Sequence, residues 1–179
     1  VANSTGYTGE QIARRLLDSQ GLYNVTIESV SGDLTDHYDP RGKVVRLSDS
    51  TMHRNSVAAI GVVAHEVGHA TYPYSDDMSS RTAYVSGALA DEGAATMNNI
   101  RVQREILSRD GPDVGIAGAA SNAAAYNAAY DQYLRDGNAN TARQTIGTVF
   151  GTGETTSNTH QPYADYYGSW YDQNHAENQ

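Results

Sequence analysis

The chain has no cysteine among its 179 residues, which excludes disulfides and any metal site built on thiolates. Any zinc here must be taken by histidine and carboxylate. It also lacks anything near the roughly 20 consecutive apolar residues of a membrane-spanning helix, and its start carries no secretory signal. Basic residues are few: 12 Lys and Arg stand against 21 Asp and Glu, a formal charge of −9. With a pI near 4.9 such a surface repels phosphates, which excludes nucleic acid as a partner. From Glu154 to the end there is no Lys or Arg at all, only the acids Glu154, Asp165, Asp172 and Glu177. Large apolar rings are scarce, with one Phe and one Trp against 13 Tyr. Tyrosine packs and hydrogen-bonds at once, so this bias suits wet, half-buried surfaces. The first residue is Val rather than Met, which reads as a mature form or an excised module of a larger protein. A secreted or cell-surface bacterial setting is compatible with the missing cysteines.

What is present is mostly helical in period. Thr8 and Gln11 have the spacing of a capping box, and Ile12, Leu16 and Leu17 give the helix that follows its apolar stripe, with Gly21 as its stop. Val25, Ile27 and Val30 alternate with polar residues as in a half-buried strand, and residues 43–48 read as a second, short strand after turns at 31–33 and 38–42. That second strand is expected to be an edge on which an extended peptide could pair. Val57, Ile60, Val63, Ala64 and Val67 recur at helical steps behind Ser56 as N-cap. Further helices are expected from about 83–86 to 107, over 119–134 and over 140–150. The segment after Gly151 has no apolar period. Residues 1–153 are therefore expected to form one domain, with 154–179 a polar, Tyr-rich tail that wraps it or is partly disordered.

The chemistry is concentrated in His65-Glu66-Val67-Gly68-His69. Two imidazoles four positions apart on a helix lie on one face, one turn apart, at the span two ligands of one ion need. The Glu after the first His projects beside them, where it can take a proton from water activated by the ion. A catalytic zinc needs a third protein ligand and an open position. Glu92, 23 positions after His69 and followed by the small residues Gly93, Ala94 and Ala95, supplies one, and Asp91 is the alternative. A Glu on a second helix about this far downstream resembles the gluzincin arrangement. Thermolysin-like members carry an Asp four residues after that Glu. Here Thr96 holds the position, leaving Asp91 or Asn99 to orient a ligand.

Peptide hydrolysis also needs a donor for the tetrahedral oxyanion. His160, Tyr163, Tyr166 and Tyr167 in the downstream segment are the candidates. Each competes with a plainer role as a surface aromatic. The dense polar cluster Asp36, His37 and Asp39 is read as turn chemistry. His53 is read as a loop residue and His175 as part of the tail.

Several blocks of the first 70 residues resemble the YugP-like neutral zinc metallopeptidases of bacteria. They are Thr8-Gly9-Glu10-Gln11-Ile12-Ala13-Arg14-Arg15-Leu16-Leu17-Asp18, Gly21-Leu22-Tyr23-Asn24-Val25, Gly32-Asp33-Leu34-Thr35-Asp36-His37-Tyr38-Asp39-Pro40, Val45-Arg46-Leu47-Ser48 and Ala64-His65-Glu66-Val67-Gly68-His69-Ala70. The resemblance covers about two-fifths of the chain and stops just after the motif. It implies a zinc-dependent peptidase with His65 and His69 as ligands and Glu66 as general base. Members of that family look membrane-embedded after the motif, whereas residues 72–97 here are polar. In the C-terminal half, residues 146–154 and 165–168 resemble the ends of bacterial polymorphic toxins and secreted effectors, without assigning any residue a role.

These readings predict an α+β fold, a mainly helical, minimal gluzincin-like zincin domain with a small antiparallel or mixed sheet packed on the motif helix. The expected activity is hydrolysis of peptide bonds, as an endopeptidase rather than an exopeptidase. The metal ligands are His65, His69 and Glu92 to one Zn2+, and the catalytic candidates are Glu66, His160, Tyr163 and Tyr166. The partner is a protein or peptide substrate. Two alternatives belong to other classes: an effector peptidase module held by an immunity or inhibitor protein, and a non-catalytic domain stabilised by zinc.

Overall fold

The computed structural model describes residue 2 and residues 5–176, so Val1 and Glu177 lie outside the described residues. The chain divides into two compact units. One comprises Val1–Tyr72 with Ala95–Ala117, the other Pro73–Ala94 with Gly118–Gln179.

The first unit begins with α1 (Gly9–Ser19), whose N-terminus has both halves of the capping box: Thr8 accepts from the Gln11 backbone N–H and Gln11 accepts from that of Thr8. Three short strands follow, β1 (Thr26–Val30), β2 (His37–Asp39) and β3 (Val44–Ser48). They form a mixed sheet in the order β1-β3-β2, with β1 parallel and β2 antiparallel to β3. The β3 segment is thus the middle strand, which corrects the expectation that residues 43–48 form a free edge. The reason lies in its residues: Val44, Val45 and Leu47 are all buried, so this is the strand whose two flanks are best covered. The free edges of the described sheet are β1 and β2. After β3 come the single-turn α2 (Asp49–Met52) and then α3 (Val57–Thr71), which packs on β2 and β3. Ala13 and Leu17 of α1, Val45 and Leu47 of the sheet, and Val63 and Val67 of α3 form one core cluster. The remaining element, α4 (Arg81–Leu107), is one continuous helix that contributes its C-terminal half here and its N-terminal half to the second unit.

In the second unit a 3-10 turn (Ala120–Asn122) leads into α5 (Ala123–Asp136), α6 (Ala139–Gly153) and α7 (Tyr163–Ala176). Glycines let α6 approach α4 at backbone distance. A Cβ on Gly147 would lie 2.3 Å from the Leu89 carbonyl oxygen, and one on Gly93 would lie 2.1 Å from that of Arg143. The α7 helix stands where the sequence shows no apolar period. Its stripe is aromatic rather than aliphatic, Tyr163, Tyr167, Trp170 and Tyr171 at steps of four, three and one, and hydropathy counts tyrosine as nearly polar. Glu154, the first acid of the tail, is buried. Its carboxylate accepts from the Ala119 N–H, from the Asn122 amide at 2.7 Å and from the Tyr126 hydroxyl at 2.9 Å. Gly118 adopts φ +115° beside it, and a Cβ there would sit 2.5 Å from a Glu154 oxygen. The fold is α+β, helical for the most part, with a small mixed sheet on the motif helix.

Candidate metal centre

The motif histidines owe their direction to the opposite face of α3. Ser56 caps the helix by accepting from the Ala59 N–H at 3.2 Å, as its position in the sequence predicts. Val63 and Val67, both fully buried, turn one face to the sheet. His65 and His69 are two residues further along, about half a turn around the helix, and so project away from that core. Their ring centroids are 5.0 Å apart with an interplanar angle of 81°. His65 and Glu66 are buried and His69 is half-buried.

The C-terminal half of α4 is fixed against α3 at two points. A Cβ on Gly68 would stand 2.6 Å from the Ala95 Cα, so the two backbones touch where the motif has its glycine. One turn on, the buried Asn98 amide donates to the Ala64 carbonyl at 2.7 Å. The small residues after Glu92 thus divide their roles: Ala95 faces Gly68, while Gly93 faces α6. Ala95 lies less than one turn beyond Glu92, so the backbone of that acid is set by the same contact.

His65, His69 and Glu92 each offer a ligand atom, and these atoms lie within 4.8 Å of one another. The donor set suits zinc. Two imidazoles and one carboxylate give three protein ligands and leave a fourth position open, with no soft sulfur to favour another metal. Glu92 is 7% exposed, and burying a carboxylate without a cation or hydrogen-bond donors is costly. Asp91, the alternative third ligand, is outside this cluster.

The other sequence candidates fall in several places. Asn99 is fully buried, but its amide donates to Gly115 and its oxygen accepts from Ala117, so it secures the loop after α4. Thr96 is fully buried and its hydroxyl has no hydrogen-bond partner. His160 is exposed in the loop before α7 with φ +55°, and its N–H donates to Thr156. Tyr163 packs on Phe150, with ring centroids 4.8 Å apart, and Tyr166 is 40% exposed. Among the downstream candidates, Tyr167 reaches a metal-site residue: its hydroxyl donates to Glu92 Oε1 at 2.6 Å. Burial raises the pKa of that hydroxyl well above the usual tyrosine value, and the Glu92 charge and hydrogen bond raise it further, so Tyr167 is a protonated donor. Asn98 was not anticipated, because an Asn within a long helix gives no sequence signal of a partner on another helix.

Comparison with known proteins agrees with this geometry. Residues 1–99 match the family described as "Putative neutral zinc metallopeptidase". The match runs past the motif and includes Glu92, beyond the stretch in which the sequence alone shows the resemblance. Over 70 residues the chain is 56% identical to a Bacillus subtilis (strain 168) protein named "Putative membrane protease YugP". That alignment covers 39% of this chain and 31% of the relative, so the chain spans under a third of the length of the curated relative it matches. No solved structure matches significantly. Among the described residues no helix is long and apolar enough to cross a membrane.

Proposed function

This chain belongs to the neutral zinc metallopeptidase family, and we propose that it hydrolyses peptide bonds with one zinc ion held by His65, His69 and Glu92. The observation that carries the reading is the convergence of these three side chains, two from one helix and one from another, on donor atoms within 4.8 Å. Zinc bound there would supply Lewis acidity, lowering the pKa of water toward neutrality and polarising the scissile carbonyl. The chain's own residues do the rest. Glu66, next to His65 on α3 and buried, takes the proton of the attacking water and returns it to the leaving amine nitrogen. Val63 and Val67 hold the helix so that both imidazoles keep their direction. Tyr167 is engaged by Glu92, so His160, Tyr163 and Tyr166 are the residues we put forward as donors to the oxyanion. Endopeptidase action is the finer part of the proposal.

The test is Glu66→Gln. The variant should retain stoichiometric zinc by elemental analysis and lose cleavage of internally quenched peptides blocked at both termini. Cleavage at the wild-type rate by Glu66→Gln refutes the general-base role. Wild-type protein that purifies under mild conditions without zinc, and takes up none, refutes the metal centre. Cleavage confined to peptides with a free terminus refutes endopeptidase action.

A further inference from the structure

Glu92 lies inside the stretch matched by the family, but the Tyr167 hydroxyl that donates to its carboxylate lies outside it. We propose that Tyr167 is a positioning residue for the metal: its hydroxyl fixes Oε1 of Glu92 and with it the orientation in which the carboxylate is presented to zinc. The inference rests on the reading of Glu92 as a ligand. At 2.6 Å the O–H···O contact has the length of a charge-assisted bond to an ionised carboxylate. Such a bond restricts both the torsion of the carboxylate and the choice between one-oxygen and two-oxygen ligation, which is how outer partners tune metal sites.

Tyr167 can do this because α7 is tied to the very helix that carries Glu92. The Asp172 carboxylate accepts from the Arg81 guanidinium at 3.1 Å. Trp170 stacks on Tyr84, with centroids 5.0 Å apart and planes 17° off parallel. The Tyr171 hydroxyl donates to the Met78 carbonyl at 3.4 Å. Gly168 has no side chain where the Arg81 guanidinium crosses: a Cβ there would lie 2.1 Å from it. Partner positions fall along α4, from Glu92 through Tyr84 to Arg81, as those on α7 rise from Tyr167 to Asp172, so the two helices run antiparallel. On α4, Arg81, Tyr84, Ala88 and Glu92 share one face at steps of three and four. The hydroxyl of Tyr167 is therefore delivered by a fixed helix pair. Tyr163, one turn earlier on α7, packs on Phe150 of α6 and holds the start of the helix.

The experiment measures zinc affinity by competition with a chromophoric chelator, and the visible spectrum of the cobalt-substituted protein, for wild type, Tyr167→Phe, Tyr171→Phe and Glu92→Gln. Tyr167→Phe keeps the ring and should melt, metal-free, within a few degrees of wild type. Its zinc Kd should rise about 10- to 100-fold, the usual effect of losing an outer partner. Its cobalt bands should change in position or intensity. Tyr171→Phe also removes a hydroxyl from α7 and should leave both readouts at wild-type values. Zinc affinity and cobalt bands unchanged in Tyr167→Phe overturn the proposal, whatever the turnover of that variant. An equal loss in Tyr171→Phe also overturns it, since any hydroxyl of α7 would then serve. Wild-type affinity in Glu92→Gln overturns the assignment of Glu92 as ligand. A weakened Glu92→Gln beside an unaltered Tyr167→Phe overturns only the role of Tyr167.

Discussion

The contact between Gly68 and Ala95 allows a single methyl group to be weighed against itself. Gly68→Ala adds a Cβ 2.6 Å from the Ala95 Cα, 2.8 Å from the Ala95 oxygen and 3.0 Å from the Asn98 Cβ. Carbon atoms settle at about 3.5–4.0 Å, so α3 and α4 must part by about 1 Å, and two of the three obstacles are backbone that cannot rotate away. Overpacking of this kind costs about 1–3 kcal/mol, and a backbone obstacle places it near the upper end. Alanine returns about 1 kcal/mol through helix propensity. The net expectation is a loss of about 2 kcal/mol, or roughly 4–8 °C in melting temperature for a chain of this size. Gly87 on α4 provides the opposite case: its added Cβ meets only a Tyr74 ring carbon at 3.4 Å, at the far end of a side chain. Gly87→Ala should therefore gain up to about 1 kcal/mol. Thermal melts of the two metal-free variants, read by circular dichroism, decide the matter. Gly68→Ala should also bind zinc more weakly, because His69 is the next residue. A Gly68→Ala protein that melts at or above wild type refutes the backbone contact, and equal losses in both variants refute the assignment of the cost to Ala95.

Glu154→Ala should cost about 3 kcal/mol in urea denaturation, since it strands the Ala119 N–H, the Asn122 amide and the Tyr126 hydroxyl; a change below about 0.5 kcal/mol would show that the knot is idle. Burial, and then the bond to Glu154, raise the pKa of Tyr126 above the ordinary value of 10.0. Its contribution to stability is complete below pH ~10, where the unfolded phenol titrates, and is lost as pH rises through the higher folded value. Wild type should thus lose stability above pH ~10 more steeply than Tyr126→Phe, and parallel alkaline melting curves would refute this. Asp113 is shifted the other way, its carboxyl pKa lowered by bonds from the Gln103 amide and the Gly115 N–H. Its contribution is present above the unfolded value of about 3.9 and is lost as pH falls through the folded one, so Asp113→Asn should flatten the acid limb of a stability curve, and an unchanged limb would refute it.

The sequence was most readable where a local rule settled the outcome. The Thr8–Gln11 box, the Ser56 cap and the 3.6-residue period of α3 each depend on residues within one or two turns, and all three appear in the structure. The metal cluster was legible for the same reason: His65 and His69 are one turn apart on α3, and the need for a third ligand led to the acids of the next long helix, Asp91 and Glu92. The middle position of β3 could not be read, because strand order depends on which flanks the rest of the fold covers. Nor could α7, since its stripe is written in tyrosine. Tyr167 could not be singled out from Tyr163 and Tyr166, because three equivalent rings within five residues carry no mark of which one meets a carboxylate 75 positions away.

The end of the family match, residue 99, falls inside α4, and this bears on what the metal centre requires. A 27-residue helix is held in its C-terminal half by Gly68, Asn98 and the apolar contacts of Val102 with Ile60 and Ala64. Its N-terminal half is held by residues with no counterpart in the match: Arg143 against Gly93, Gly147 against Leu89, Trp170 against Tyr84, and Asp172 against Arg81. Glu92 sits between the two sets of restraints, with its backbone set less than one turn before Ala95 and its carboxylate set by Tyr167. The HEVGH helix brings two of the three clustered donors from a segment that folds by local rules. The proposed third ligand, Glu92, accepts a hydrogen bond from Tyr167, 75 positions further on. A protein with the same first 99 residues and a different continuation would keep His65, Glu66 and His69 but present Glu92 differently. Metal affinity is therefore the property in which relatives sharing this motif should diverge most, while the proposed general-base role of Glu66 depends only on α3.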